Sequence, residues 1–320
     1  MKIRRENLPM LVTALVLLAL FGIFSIFFRN FLSLRVVVNL FTNNAHVGVI
    51  AVGMTFVILS GGIDLSVGSV LAFTTIFIAT LVEHRHLHPV AAIIIGLGFG
   101  TIFGAAMGAM IQVYKLPPFL VTLAGMFLAR GLAFVVSSSE LAIRHPFYET
   151  LGDSGIPMGK VRLGSAACIF IATLIVAAIV ARRTKFGRNV YAIGGNENSA
   201  FMMGLPVART KIAIYAISGF CAALGGVVFT LQARSGNPLN GMGLELDAIA
   251  AVVIGGTILT GGVGHMEGTL LGVLIYGTIL TAPDYLSGFD SSWQRIAIGG
   301  LLLAFIILQR FLSRAAAQTR

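Results

Sequence analysis

The sequence predicts an all-α, polytopic membrane protein with about ten transmembrane helices in a single domain over residues 1–320. Hydrophobic residues make up 57% of the chain and charged residues only 11%, whereas roughly a quarter of the residues in a soluble domain are charged. Apolar runs close to the length of a membrane-crossing helix follow one another along almost the whole chain. The basic residues lie between these runs, so membrane topology explains the net charge of +10 better than a nucleic-acid partner does.

The first apolar run follows the basic segment MKIRREN and extends over residues 8–28. A cleaved signal peptide has an apolar core of roughly 7–15 residues and a small-residue cleavage site. This run is longer and ends in FFRNF, which offers no such site, so it predicts an uncleaved first helix. Nine further runs predict the remaining spans, at residues 37–59, 67–82, 89–113, 117–137, 163–181, 211–232, 248–262, 268–282 and 293–311.

The charges between the runs predict that both termini are cytoplasmic. With that orientation, basic residues far outnumber acidic residues on the cytoplasmic side, whereas the two balance on the other side. Loops rich in Lys and Arg stay in the cytoplasm, and a shift of the frame by one helix would reverse the asymmetry. The loop over residues 139–162 is then expected outside.

Asp64 is the only formally charged residue in the apolar stretch 45–82. A carboxylate inside hydrocarbon costs several kcal/mol unless it faces protein, water or a partner. Two glycines precede Asp64, and a serine and a glycine follow it, so a bend or an unwound turn is expected there. The alternative is that Asp64 caps the next helix from a short loop at the membrane surface.

Position and polarity together give five candidates for the lining of a translocation path through the membrane. They are Asn43, Asn44, Thr55, Asp64 and Ser66.

The region around Asp64 has an echo 200 residues later in the chain, where AVVIGGTILTGGVGHMEGTLL (251–271) aligns with AVGMTFVILSGGIDLSVGSVL (51–71). Both segments contain a glycine pair, at 61–62 and at 261–262. Corresponding interrupted helices in transporters point to the pathway, although chance similarity between glycine-rich apolar stretches is a rival explanation. Glycines also recur every four residues over 96–108 and 264–272, a spacing that favours close helix packing within one bundle or in a dimer.

The longest polar stretch on the predicted cytoplasmic side covers residues 182–211. Within it, Asn196 can cap a short helix, with Glu197 in the first turn where the helix dipole favours an anion. Gly204 and then Pro206 end that helix after about two turns. Its apolar side chains predict a docking site for a soluble partner, and the alternative is an ordinary basic loop anchored on lipid phosphates.

Four segments together resemble the permeases of bacterial ABC importers of the ribose/xylose/galactose type, and among these the permeases of galactofuranose importers. The segments are GMTFVILSGGIDLSVGS, LPPFLVTLAGM, FGRNVYAIGGNENSAFMMGL and ELDAIAAVVIGGTILTGGVG, in the same order as in that family. The resemblance covers roughly residues 35–312 and implies the ABC importer permease fold in a bacterial inner membrane. It also implies a cytoplasmic ATP-binding subunit, a second permease copy or paralogue, and a periplasmic sugar-binding protein, all assembled at the lipid bilayer.

The same resemblance implies that the ATPase-coupling helix falls within the cytoplasmic loop. Its residues would be Gly195, Asn196, Glu197, Asn198, Ser199, Ala200, Phe201, Met202, Met203 and Gly204. The chain has no phosphate-binding G-x-x-x-x-G-K-[ST] loop, so ATP hydrolysis is expected in a separate subunit. No enzymatic activity, cofactor or metal is expected of this chain.

The leading interpretation is the membrane subunit of an importer that moves a monosaccharide by alternating access. A rival is a self-contained secondary transporter of a small polar solute, which needs proton- or ion-coupling residues within its spans. Asp64 and Arg130 are the only formal charges that could serve. Arg130 could also contact substrate, or pair with a carboxylate or snorkel. Glu245 and Asp247, before the eighth run, could line an outer mouth or cap that helix.

Overall fold

The computed structural model describes residues 8–27, 31–159, 161–281 and 291–317, and these form fourteen helices and two small β ladders. The helices are α1 (Leu8–Phe27), α2 (Leu34–Asn43), α3 (Ala45–Leu59), α4 (Val67–Glu83), α5 (Pro89–Val113), α6 (Pro118–Val136), α7 (Pro146–Gly152), α8 (Ser165–Arg183), α9 (Lys185–Gly195), α10 (Glu197–Met202), α11 (Val207–Ala233), α12 (Leu244–Ile254), α13 (Met266–Leu280) and α14 (Ser291–Ala317). The basic residues of the N-terminal segment 1–7, together with Arg29, Lys160 and Arg320, lie outside the described residues.

The predicted helical membrane protein is confirmed, whereas the number of ten crossings stays a prediction. Among the described residues, five helices are long and apolar enough to cross a membrane, namely α1, α5, α6, α8 and α11. A sixth crossing arises if α2 and α3, which are bent by 59° relative to each other, count as one broken span. Helices α4 and α13 and part of α14 are apolar but shorter.

Two predicted spans differ from the helices that form. The run 37–59 is interrupted at Asn44, whose side-chain amide donates to the carbonyl of Leu40 (2.9 Å). The run 248–262 is only partly helical: α12 starts earlier, at Leu244, and ends at Ile254, and the segment 255–265 is not helical. Gly256, Gly261 and Gly262 adopt positive φ there, a conformation that glycine reaches at little cost and that ends a right-handed helix.

The glycine stripe of α5 packs within the protein's own bundle. A Cβ added at Gly100 would lie 2.5 Å from the carbonyl oxygen of Gly219 on α11, and one at Gly108 would lie 3.0 Å from Cα of Ile212. The second stripe does the same, because Gly268 and Gly272 on α13 face the backbone of α12. Both stripes therefore let neighbouring helix backbones approach closely.

Two short β ladders lie at the end of the bundle that the charge pattern places outside. Strand β1 (Leu141–Ala142) pairs with β4 (Ser235–Gly236), and β2 (Gly155–Met158) pairs with β3 (Val161–Gly164). The all-α expectation missed these strands because each has two to four residues and carries too little pattern to be recognised.

Candidate functional site

Asp64 lies in the non-helical break between α3 and α4, with its carboxylate completely buried. Its Oδ1 accepts hydrogen bonds from the Ser66 backbone N–H (2.9 Å) and the Ser66 hydroxyl (2.6 Å). Its Oδ2 accepts a hydrogen bond from the hydroxyl of Ser218 on α11 (2.7 Å). Both oxygens are thus satisfied by protein donors, as a buried charge requires, and the break is tied to a helix more than 150 residues away in sequence.

The break lies near the middle of the bundle. Ser218 is eleven residues from the start of the 27-residue helix α11, which corresponds to about 16 Å along the helix axis. At a neighbouring level, Gly219 faces Gly100, near the centre of α5. Asp64 therefore lies level with the middle of α11, which favours a place inside the bundle over a cap in a loop at its end. The residue at the N-cap of α4 is Ser66, which makes no side-chain capping bond.

The five path candidates do not form one site. Asp64 and Ser66 share a cluster, whereas the Thr55 hydroxyl bonds to that of Thr269 on α13 (2.7 Å). Asn44 is buried and packs against Gly277 of α13.

Asn43 is exposed and lines a separate polar pocket together with Asp153, Gln232 and Arg234, next to strand β3. The structure thus divides the five candidates among four places.

Sequence reasoning missed the polar groups of α11 that face the break. Ser218 donates to the Asp64 carboxylate, and the hydroxyl of Tyr215, one turn earlier, lies close to Gly62. The available signal was a pair of polar side chains three residues apart within an otherwise apolar span, which places them on one helix face.

The two glycine pairs of the internal echo meet in space. A Cβ added at Gly261 would lie 2.8 Å from the backbone N of Gly61, and the backbone N–H of Gly262 donates to the carbonyl of Leu59 (2.9 Å). Gly61 and Gly261 both have positive φ. The two interrupted segments are therefore in direct backbone contact, which supports the correspondence that the echo predicted.

The C-terminal end of α9, in the stretch 182–211 that is predicted to be cytoplasmic, packs against this contact. A Cβ added at Gly194 would overlap the carbonyl oxygen of Leu59, and one at Gly261 would lie 3.1 Å from Cα of Gly194. A Cβ at Gly262 would lie 2.9 Å from the backbone N of Gly195. We name the contact among residues 61, 194, 195, 261 and 262 the glycine junction. It joins both breaks to the loop predicted to couple to an ATPase.

Two side-chain contacts reinforce the attachment of this loop to the second break. The Tyr191 hydroxyl on α9 donates to the carbonyl of Gly264 (2.8 Å). Burial, together with the nearby Glu267 carboxylate, raises the pKa of Tyr191, so its hydroxyl remains a donor. An exposed ion pair joins Arg182 of α8 to Glu267 in the first turn of α13 (2.8 Å).

The predicted short cytoplasmic helix is present as α10. Asn196 is its N-cap, with the side-chain oxygen accepting from the Ser199 N–H (2.8 Å), and Glu197 lies in the first turn. Gly204 adopts a φ of +76° just past the end of the helix, where an αL glycine commonly terminates it. The 182–211 stretch also contains α9, which sequence reasoning did not anticipate.

Helix α10 presents its apolar side chains outward. Phe201, Met202 and Met203 are 71%, 86% and 68% exposed, and Ala200 alone is buried against the bundle. An ion pair from Glu197 to Lys211 of α11 (2.6 Å) fixes the orientation of α10. Beside it lies a groove lined by Lys115, Phe201 and Arg209, among other residues.

Comparison with known proteins identifies the family. The family model described as "Branched-chain amino acid transport system / permease component" matches residues 36–306. The chain is 47% identical, over 97% of its length and 94% of the relative's, to the inner membrane ABC transporter permease protein YjfF of Escherichia coli K12. It is 39% identical to the ribose import permease protein RbsC of Bacillus subtilis, covering 90% and 88% of the two chains.

A further relative, the fructose import permease protein FruG of Bifidobacterium longum, is 35% identical over 97% of this chain and 92% of its own. No solved structure matches the chain. The family match spans most of the apolar bundle, including both breaks and the polar stretch 182–211. The chain therefore belongs to this family: it is a membrane permease component of an ABC transport system and is not itself an enzyme.

Proposed function

We propose that the chain is the membrane-spanning subunit of an ATP-driven importer that moves a monosaccharide across a bacterial inner membrane by alternating access. The import of ribose and fructose named for two relatives supports a sugar substrate. Among sugars we propose galactofuranose, on the likeness of the coupling and glycine-rich segments to permeases of that importer type. Its partners are a cytoplasmic ATP-binding subunit, a second permease copy or paralogue, and a periplasmic sugar-binding protein.

The observation that carries this proposal is the connection from the exposed helix α10 to the interior of the bundle. Phe201, Met202 and Met203 offer an apolar knob of the kind that inserts into a groove of a soluble subunit. Helix α9 directly precedes α10 and ends in the glycine junction, where both interrupted segments meet. A displacement of α10 by an ATPase would therefore move α9 and, through the backbone contacts of the glycine junction, both breaks. These contacts involve no flexible side chain.

Within the bundle, we propose that the Asp64 cluster is the part of the translocation machinery that changes state. The carboxylate links the first break to α11 through Ser218, so its hydrogen bonds hold one arrangement of the two elements. Thr55, hydrogen-bonded to Thr269, and the buried Asn44 join the same interior surface to α13. The exposed Asn43 would face solute at the outer end.

The test is reconstitution of the permease in vesicles with its ATPase, second permease and binding protein. We expect uptake of labelled galactofuranose that requires ATP, and weaker competition by D-ribose and D-fructose. Uptake of another monosaccharide with the same ATP dependence would retain the importer and reject galactofuranose. Uptake driven by an ion gradient without the ATPase would instead establish the secondary transporter.

A further inference from the structure

The segment between α11 and α12 runs down the side of α4 into the bundle. Gly236 lies against the backbone of Thr75 in the middle of α4, and Gly241 lies against Gly68, one residue into that helix. Over residues 237–243 this backbone is not regular secondary structure. Non-helical backbone at membrane depth is tolerated only where it is buried in protein or lines a water-filled cavity.

Arg130 of α6 anchors this segment from the other side. Its Nη1 donates to the carbonyls of Pro238 (2.5 Å) and Asn240 (2.8 Å). The Asn240 amide in turn donates to the hydroxyl of Thr75 on α4 (3.3 Å). The guanidinium is thus held in place through one nitrogen, and its other N–H groups make no hydrogen bond within the described part of the chain.

Glu245 faces the same place from the first turn of α12. A Cβ added at Gly68 would lie 2.5 Å from Glu245 Oε2, so the carboxylate rests against the first turn of α4. Oε2 is buried and has no hydrogen-bond partner among the described residues, and the same holds for the buried hydroxyl of Ser69. Glu245 and Arg130 attract each other, yet among the described ion pairs none joins them within 4.0 Å.

These charges lie near half-depth and are only half-buried. Glu245 lies against Gly68, which directly follows the Asp64 break, and that break is level with the middle of α11 and α5. Thr74, next to the Thr75 that Asn240 contacts, faces Gly96 of α5. At this depth lipid-facing charges are costly and rare, and charged side chains normally face the bundle interior or a water-filled cavity. The surface formed by Arg130 and Glu245 is therefore not expected to contact lipid acyl chains.

We propose that Arg130, Asn240 and Glu245 line a water-filled translocation path and form a weak binding site for a neutral, polyhydroxylated solute. The free N–H groups of Arg130 donate to sugar oxygens, and the carboxylate of Glu245, a residue that is only partly buried, accepts from a sugar hydroxyl. One positive and one negative group have no net charge, so the site does not favour an ionic solute over a neutral one. This inference rests on the proposed function and names the surface that its sugar contacts.

The first arm of the test measures access of water and does not depend on transport. Met242 in the segment and Ile102 on α5 are almost equally exposed, at 70% and 71%, and both lie near the middle of the bundle. In a chain lacking Cys168 and Cys221, we expect Met242→Cys to react with a charged methanethiosulfonate at least tenfold faster than Ile102→Cys. Equal reactivity would overturn the path, whatever solute the importer carries.

The second arm measures the contact with the solute, using uptake of labelled galactofuranose, D-ribose and D-fructose by the complete importer. For the sugar that the unmodified protein takes up, Arg130→Lys and Glu245→Gln should each raise the half-saturating concentration at least fivefold. Glu149→Gln, which alters an exposed carboxylate in the first turn of α7, is the control and should leave the half-saturating concentration unchanged. Unchanged half-saturation in both variants would overturn the binding site.

Competition between sugars and an amino acid tests which class of solute the site prefers. An Arg–Glu pair could also hold a zwitterion, so L-leucine is included as a competitor. Inhibition by leucine and none by any of the sugars would reject both the sugar site and the proposed function, while faster labelling at position 242 would still support the path.

Discussion

Three hydrogen bonds from two serines hold the carboxylate of Asp64 in the interior of the bundle. Hydrogen bonds to a charged group contribute roughly 1.5–3 kcal/mol each, and two of the three are local to the break. The third, from Ser218, is the one that crosses to another helix. Asp64 therefore shapes its own turn through the bonds from Ser66 and holds that turn against α11 through the bond from Ser218.

We expect Asp64→Asn to fold and insert but to transport poorly. The asparagine oxygen can still accept from Ser66, and its amide can donate to the Ser218 oxygen, so the shape is kept while the charge is removed. Asp64→Ala leaves donors at Ser66 and Ser218 unpaired, which costs about 1–3 kcal/mol for each buried group, and should lower uptake about tenfold or more. Uptake in vesicles, normalised to the amount of inserted protein, measures both effects.

Ser218→Ala serves as the matched variant because it removes only the bond between the break and α11. Its uptake should lie between those of the unmodified protein and Asp64→Ala. Unmodified uptake in both Asp64 variants would mean that the carboxylate has only a local structural role.

At the scale of single elements, α10 is short and depends on its caps. Six residues form little more than one turn and a half, too short to be stable alone. The Asn196 cap, the Glu197–Lys211 ion pair and the buried Ala200 hold it in place. Its exposed apolar side chains therefore do not stabilise the bundle and remain available to a partner.

Replacing both Met202 and Met203 with Asp should uncouple ATP hydrolysis from uptake while the permease still inserts. Two charges on a surface that must enter an apolar groove carry a desolvation cost on docking. ATPase copurification and ATP-dependent uptake are the measurements. Met158→Asp, at an exposed methionine of strand β2, is the control and should behave as the unmodified protein. Normal assembly and uptake in the double variant would exclude α10 as the docking element.

The glycine junction provides a second matched pair. A Cβ at Gly194 would overlap the Leu59 carbonyl, whereas a Cβ at Gly195 would meet nothing within 4 Å. Gly194→Ala should therefore separate α9 from the first break, lowering the thermal stability of the purified protein and the rate of uptake. Gly195→Ala should leave both near their original values. Equal effects of the two substitutions would show that the close contact is not what matters.

At the scale of the whole molecule, two interrupted segments 200 residues apart are in backbone contact beside the loop that is predicted to be cytoplasmic. Helix α11 lies centrally, with α5 packed along its glycine stripe and Asp64 bound to its middle. The end that the charge pattern predicts to be outside carries the short strands and the polar pocket at Asn43.

The orientation can be tested by labelling of single cysteines in intact cells. Ser138 and Asn198 are both exposed on the protein surface but lie at opposite ends of the predicted topology. Because basic loops remain in the cytoplasm, Ser138→Cys should react with an impermeant thiol reagent and Asn198→Cys should react only after the cells are permeabilised. The reverse labelling would invert the topology and place both termini outside.

Local patterns in the sequence determined the membrane class, the position of most helices and the capped helix α10. Apolar run length, the glycines near Asp64, and the spacing of Asn196, Glu197 and Gly204 each act within a few residues. Because these signals are local, they could be interpreted without knowing which other helices pack against them. The family likeness added the coupling role of the loop, which stays a prediction.

Only the tertiary structure decided which distant groups meet. The hydrogen bond from Ser218 to Asp64 joins residues 154 positions apart, and the one from Arg130 to Pro238 joins residues 108 positions apart. The contact of Gly194 with Leu59 likewise joins distant parts of the chain. A short apolar run does not reveal whether it will be a helix or a re-entrant segment, because its neighbours supply or withhold the partners of its backbone. Side-chain pairing between helices likewise depends on the packing angle and register of the whole bundle, and no local pattern encodes either.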